Sequence, residues 1–312
     1  MNAPDLVSHR RAGFVVAAIL CAASCTRNVP PPPPPDGSRA FAHLVAQVAF
    51  GPRVPASPGI AKCRQYLVEQ LSQYTDHVRA QRFVRPDPYG SDSLRLVNVL
   101  AHFYRERAGR VLLAAHYDTR PRADQDTGAA RELPVPGAND AASGVAVLLE
   151  VARALSTWDP GIGVDLVFFD GEDYGKEGDP DQYLLGSRYF TQTIGAYRPR
   201  AMILLDMVGD ADLRIPMEEY SRTRSPRLTD LVFAIADSLR APGFVRADGP
   251  GVFDDHVPFL ALGIPAVDLI DFDYPAWHTT ADLPDQCSAA SLESVANVVL
   301  HVLHRLGRSA AP

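Results

Sequence analysis

Apolar positions along this chain keep a helical spacing at first, then switch to short unbroken runs set between helical stretches. Over residues 38–49, Phe41, Leu44, Val45 and Val48 fall on one face of a helix that Ser38 can cap. Residues 59–74 repeat the pattern, with Tyr66, Leu67 and Leu71 inward and Cys63 as a small buried residue. The three prolines between Gly51 and Gly59 make the connection a loop. Residues 78–84, 94–104 and 110–115 read as strands, and the turn at 105–109 predicts that the last two pair as a hairpin. From Ala141 onward, helices (141–155, 186–193, 226–240, 291–306) alternate with strands (164–169, 201–205, 266–270). That alternation predicts an α/β fold with a mostly parallel sheet covered on both faces. No internal repeat or interior linker interrupts it, so residues 38–312 are read as one domain.

The strand over 164–169 is the centre of the pattern. Its run lacks polar alternation, which fits a strand covered on both faces, and it leads into Glu172 and Asp173. Acids just beyond the carboxyl end of such a strand lie where open α/β sheets bind ligands. Adjacent carboxylates stay ionised together only if a cation or a shared proton compensates. A metal ion held by one acid, with the other carrying a proton, is one solution. An exposed acidic turn is the plainer alternative.

Composition changes the picture mainly by exclusion. The 312 residues are 46% hydrophobic and 21% charged, an ordinary globular balance. A net charge of -7 with no basic block argues against nucleic acid as a partner. Four cysteines, two of them in the first 25 residues, are too few for a disulfide framework. Cys63 and Cys287 remain as a pair that an oxidising compartment would allow to bond.

Residues 1–24 have the layout of an export signal. His9, Arg10 and Arg11 make a positive start, residues 13–20 an apolar stretch too short to span a bilayer, and Ala22, Ala23 and Ser24 a cleavage site. Cys25 follows directly, as in bacterial lipoprotein signals, so residues 25–37 are read as a lipid-attachment Cys and a Pro-rich tether. The unbroken prolines at 30–35 would form a stiff polyproline II stalk. The expectation is an exported protein facing the periplasm or outer surface, otherwise secreted, that meets a membrane only through a lipid at Cys25. Length and composition set no oligomeric state.

Four further motifs stand where a strand ends or a loop begins. They are His116-Tyr117-Asp118, Asn139-Asp140, Asp206 and Trp277-His278-Thr279. With Glu172 and Asp173 they supply imidazole and carboxylate groups of the kind zinc takes, three per catalytic ion with one position left open. Taken singly, Asp140 could be a helix cap, His116 and His278 core histidines, and Asp206 a turn former. Asp118 fits an orienting partner of His116. All the plain readings must hold at once to leave no site.

Taken in order, HYD, ND, GED, LLDMVG, DDHVPF and WHT resemble the zinc aminopeptidase and glutaminyl cyclase superfamily, metallopeptidase family twenty-eight, over residues 40–306. The resemblance implies a three-layer α/β sandwich around a central mixed, mainly parallel twisted sheet. It also implies one of two chemistries on N-termini of peptides or proteins. In the two-zinc aminopeptidases, Asp140 would bridge the ions, Asp173 and His278 would complete one, His116 and Asp206 the other, and Glu172 would be the general base. In the one-zinc glutaminyl-peptide cyclotransferases, N-terminal Gln becomes pyroglutamate with release of ammonia. There Asp140, Asp173 and His278 are the ligands, and Glu172 moves the proton from the α-amine to the leaving ammonia.

Trp277 before the metal-ligand His, and Asp254 within DDHVPF, favour the cyclase. Asp254 would join Glu172 and Asp206 in a carboxylate network, while Trp277, Tyr274 and Tyr183 would contact substrate. Phe253 stands where animal cyclases place a polar amide, and the Pro-rich loop 119–137 is long enough for a lid.

Overall fold

Strands with the most continuous apolar runs take the middle of a sheet, because each must be covered on both faces. The computed structural model describes residues 1, 29–90, 93–107 and 109–308, so the expected export signal and Cys25 lie outside the described residues. Helices α1 (Gly37–Val48) and α2 (Pro58–Ser72) precede strands β1 (Val78–Pro86), β2 (Ser93–Phe103) and β3 (Arg110–His116). Then come α3 (Ala142–Leu155), β4 (Gly163–Phe169), α4 (Leu185–Gln192), β5 (Ala201–Asp206), β6 (Ile215–Met217) and α5 (Glu219–Arg224). The chain ends with α6 (Pro226–Leu239), β7 (Phe244–Asp248), α7 (Val257–Ala261), β8 (Ala266–Ile270) and α8 (Ala289–Arg308).

The main sheet has the order β1-β2-β4-β3-β5-β8. It is antiparallel at β1/β2 and β2/β4 and parallel from β4 onward, the mixed, mainly parallel sheet expected. Alternate strand residues face opposite layers. Val111, Leu113 and Ala115 pack in the core under α1, α3 and α8, whereas Leu112 and Ala114 pack with Phe190 of α4 and Phe259 of α7.

β2 and β3 do not pair as a hairpin. β4 lies between them, antiparallel to β2 and parallel to β3. All of β4 is buried, so a place at the edge would leave its apolar faces and ladder groups in water. The hairpin is instead β1–β2. β6 and β7 form a second, two-stranded sheet, too short to show a readable alternation.

The proline run is not a free stalk. Val29 is buried with its carbonyl oxygen 3.0 Å from His304 Nε2, and Trp158 Nε1 donates to the Pro30 oxygen at 2.9 Å. The Asp36 N–H donates to Glu150 Oε1 at 2.8 Å. Prolines bring no N–H that needs a partner, so such a segment can lie flat on a body that donates to its carbonyls. Residues 29–37 therefore pack on the folded body, which in the described residues reaches back at least to Val29. Cys63 and Cys287 are both buried and free, so no disulfide joins them. No helix among the described residues is long and apolar enough to cross a membrane.

α3 lies hard against β5, because a Cβ on Gly144 would run into the carbonyl oxygen of Leu205. That approach sets Asp140, just before α3, beside Asp206 at the end of β5. Gly144→Ala should therefore cost about 1–3 kcal/mol of stability, the usual range for overpacking a close-packed layer. Urea unfolding reads this directly, and a parent-like midpoint would mean that α3 can move off β5 freely.

Candidate active site

Parallel strands that end together deliver their next residues to one place. His116 ends β3, Asp206 ends β5, Glu172 and Asp173 follow β4, and Asp140 precedes α3. His278 comes from the loop after β8 with a φ of 54°, and Met207, next to Asp206, has a φ of 47°. Side chains rarely hold this left-handed backbone unless the surroundings impose it, and such strain gathers at functional sites. Five of the six groups singled out in the sequence line one cleft together with Asp254, and the sixth, buried His116, contacts Asp140 and Asp206.

Two sets of donors overlap there. His278 Nε2 is 3.4 Å from Asp173 Oδ2 and 3.6 Å from Asp140 Oδ2. Asp173 Oδ2 is buried and has no hydrogen-bond partner, which leaves its lone pairs for a cation. In the second set, His116 Nε2 lies 3.1 Å from Asp140 Oδ1 and 3.2 Å from Asp206 Oδ1. Within each set the donor atoms lie within 4.8 Å of one another, and Asp140 belongs to both. Two carboxylates and an imidazole suit zinc, so the residues present fit the ion. Asp140 is not a helix cap: α3 starts from Ala141 without a side-chain cap, and the Asp140 N–H donates to Asp282.

The donors are braced from behind. Buried Arg120 donates through Nη1 to Asp173 and through Nε to Asp124 at 2.9 Å, and Asp124 faces His278 Nδ1 at 3.4 Å. One guanidinium thus steadies two members of the first set. Asp118 is 3.6 Å from His116 Nδ1, beyond hydrogen-bond reach. Its oxygens instead accept from the Glu172 and Asp173 N–H groups at 3.0 and 3.2 Å, so it anchors the acidic pair rather than the imidazole.

Asp282 accepts from the N–H groups of Asn139 and Asp140 and from the Tyr274 hydroxyl. This corrects the expected place of Tyr274 on the pocket wall. Its ring is buried among Met207, Ile270 and Ala276, and a buried hydroxyl needs a partner, which Asp282 supplies. Arg53 anchors the ends of the loop 119–137 through the carbonyl oxygens of Tyr117, Pro136 and Gly137, and the Gln125 N–H donates to the His278 oxygen, so in this structure the loop stands as a wall of the cavity.

The cavity in front of these groups has a volume of about 380 Å³. Trp277 and Tyr183 line it, and Trp277 stacks on His278 with ring centres 3.9 Å apart. The Tyr183 hydroxyl accepts from Arg120 Nη2 at 2.9 Å, and its ring lies so close to Gly175 that a Cβ there would collide with it. Phe272, 5.0 Å from Trp277, and Phe253 add two aromatics to the lining. Sequence reasoning missed Phe272, Arg120, Asp124 and Asp282. Arg120 and Asp124 carry a signal, an opposite-charge pair four apart just after HYD; nothing local marks Phe272.

Electrostatics separates the acidic pair. Burial, reinforced by the charge of Asp173, holds Glu172 well above the ordinary carboxylate range. Burial works against ionising Asp173 too, but His278 and Arg120 outweigh it and hold Asp173 low. Neighbouring acids driven apart in this way can divide proton carriage from ligation. Burial and Asp206 push Asp254 up to about 7. Among the described residues no direct hydrogen bond joins Glu172, Asp206 and Asp254, so the expected network is one of charge rather than of contact. Burial opposes a charge on His278, yet Asp173 and Asp124 prevail and raise it to about 9.

Below about pH 9 an ion must displace the His278 proton. Zinc affinity should thus weaken about tenfold per unit as pH falls. Competition with a chelator measures this, and a flat profile would remove His278 from the donor set. In the same titration Arg120→Met should bind zinc about ten- to a hundredfold more weakly, the usual loss when a ligand's support is removed.

Residues 98–303 match peptidase family M28. Among solved structures, the chain is 36% identical to a glutaminyl cyclase of Porphyromonas gingivalis, with a TM-score of 0.83 over 87% of this chain and 99% of that one. It is 33% identical to a leucine aminopeptidase precursor from Bacteroides thetaiotaomicron VPI-5482, again with a TM-score of 0.83, over 89% of this chain and 98% of that one. It is also 26% identical to the glutaminyl-peptide cyclotransferase of Bos taurus, over 81% of this chain and 79% of the relative. The matched span holds both donor sets and the acidic pair, and the chain belongs to peptidase family M28.

Proposed function

We propose that this chain is a glutaminyl-peptide cyclotransferase that closes the N-terminal Gln of peptides into pyroglutamate, releasing ammonia, with one catalytic zinc. The observation that carries this reading is the Trp277 indole stacked on His278, in one cavity with Glu172 and Asp254. Asp140, Asp173 and His278 would hold the zinc, which supplies a Lewis acid for the γ-carbonyl of the substrate Gln. Glu172, given a high proton affinity by burial, in its ionised form takes a proton from the α-amine as the amine attacks, and as the acid gives it to the departing ammonia. Asp206 and Asp254, both raised by burial, keep that proton within the cleft. Trp277 and Phe272 give the Gln side chain an apolar wall and keep water from the carbonyl. The nucleophile belongs to the substrate, so exclusion of water favours ring closure over hydrolysis.

His116, wedged between Asp140 and Asp206, supplies the positive charge that a second ion would otherwise bring, which supports one zinc. The second reading, a two-zinc aminopeptidase, is favoured by the intact set of His116, Asp140 and Asp206. The N-terminal pattern supports an exported chain lipidated at Cys25 and facing the periplasm or outer surface.

The test offers a Gln-initiated dipeptide and a Leu-initiated amide side by side, with zinc counted on the same sample. Ammonia and a pyroglutamyl product with one zinc per chain are expected; free leucine with two zincs would establish the peptidase instead. Glu172→Gln should abolish ring closure while zinc stays bound, and near-parent turnover would remove its role as proton carrier.

A further inference from the structure

The domain has two electrically opposite ends. The cavity end is lined by Asp124, Asp140, Glu172, Asp173, Asp206 and Asp254. The opposite end, where the parallel strands begin, is arginine-rich: Arg79 in β1, Arg105 after β2, Arg198 and Arg200 before β5, and Arg305 and Arg308 in the last turn of α8.

These positions adjoin one another. β1 runs antiparallel to β2 with Val78 opposite Ala101, and Arg79, Arg105 and Arg110 line one cleft of about 220 Å³. The Arg200 N–H donates to the Arg110 oxygen at 2.8 Å, and its guanidinium reaches the Leu306 oxygen near the end of α8. The acids at this end are few. Asp76 and Glu106 are exposed, Asp159 is paired with Arg107, and Asp165 is buried against Arg110. The chain also joins the body here, since Val29 sits against Gly161 and His304.

We propose that this basic end is a docking surface for anionic phospholipid head groups, which leaves the acidic cavity facing away from the bilayer. Guanidinium forks match phosphate oxygens, and the attraction acts over about a Debye length of 8–10 Å. A chain of net charge -7 is repelled as a whole by such a surface, so approach through the arginine end is the favoured orientation. Because the chain joins the body at that end, a lipid at the N-terminus would draw the same face inward. The inference is independent of the reaction proposed above, and its test reads binding rather than turnover.

The test uses the chain from residue 26, which keeps every described residue from Val29 onward and lacks Cys25. It is sedimented with vesicles of one-third phosphatidylglycerol in phosphatidylcholine, and with phosphatidylcholine alone. Binding to the anionic vesicles only, abolished in half-molar salt, is expected. Arg105→Glu combined with Arg198→Glu should weaken it at least tenfold, with an unchanged thermal midpoint showing that the fold is kept. Arg131→Glu, in the loop that walls the cavity, should bind like the parent. Equal binding to both vesicle types, no binding to either, or an equal loss in Arg131→Glu would overturn the proposal. Retention on heparin without vesicle binding would also overturn it, because the surface would then recognise a polyanion other than a bilayer.

Discussion

Repulsion among carboxylates crowded at the carboxyl end of the sheet is the constraint to which the rest of the site answers. Three kinds of compensation are visible. Backbone N–H groups satisfy Asp118 and Asp282, which face the chain rather than the cavity. Fixed or induced cations stand beside others: Arg120 on Asp173 and Asp124, His116 between Asp140 and Asp206. Where neither is at hand, burial favours the protonated acid, as at Glu172 and Asp254. Asp173 Oδ2, beside His278 and Asp140, is among the buried carboxylate oxygens left without a hydrogen-bond partner, and it is placed within a donor set fit for a cation.

The same donors serve two chemistries, so the ligands cannot be what separates a ring-closing enzyme from a peptide-cleaving one. The difference must lie in what else shares the cavity. Hydrolysis needs a water held near the carbonyl, whereas ring closure needs that water kept out while the substrate folds back on itself. Indole, phenol and phenyl rings around the donor cluster, with Trp277 laid flat on His278, serve exclusion. Likeness in overall fold reaches cyclases and an aminopeptidase precursor equally, which is the same point made by whole molecules.

Much of this was legible in the sequence, for identifiable reasons. Long helices such as α3 and α8, and buried strands such as β4 and β5, announce themselves through spacing, and ligands at strand ends follow from topology. Pairing partners do not: the short turn after β2 pointed to a hairpin with β3, but the burial demand of β4 overrode sequence proximity. Tyr274 shows the limit of motif reading, since one hydroxyl finding Asp282 turned its ring away from the cavity. Arg120 and Asp282 act across 53 and 142 residues of chain, on Asp173 and Asp140, and no local pattern reveals such reach. The proline run could be read for stiffness but not for where it lies.

That run also ties the start of the described body to its last helix. Val29 rests against His304, and the Gly37 N–H donates to Glu293, so the first described segment is closed by the last helix. Synthesis delivers residue 29 long before α8 exists. The segment's contacts with Glu150 and Trp158 can form midway, but those with α8 must wait until almost the entire chain has emerged, so its docking is completed only at the end of assembly.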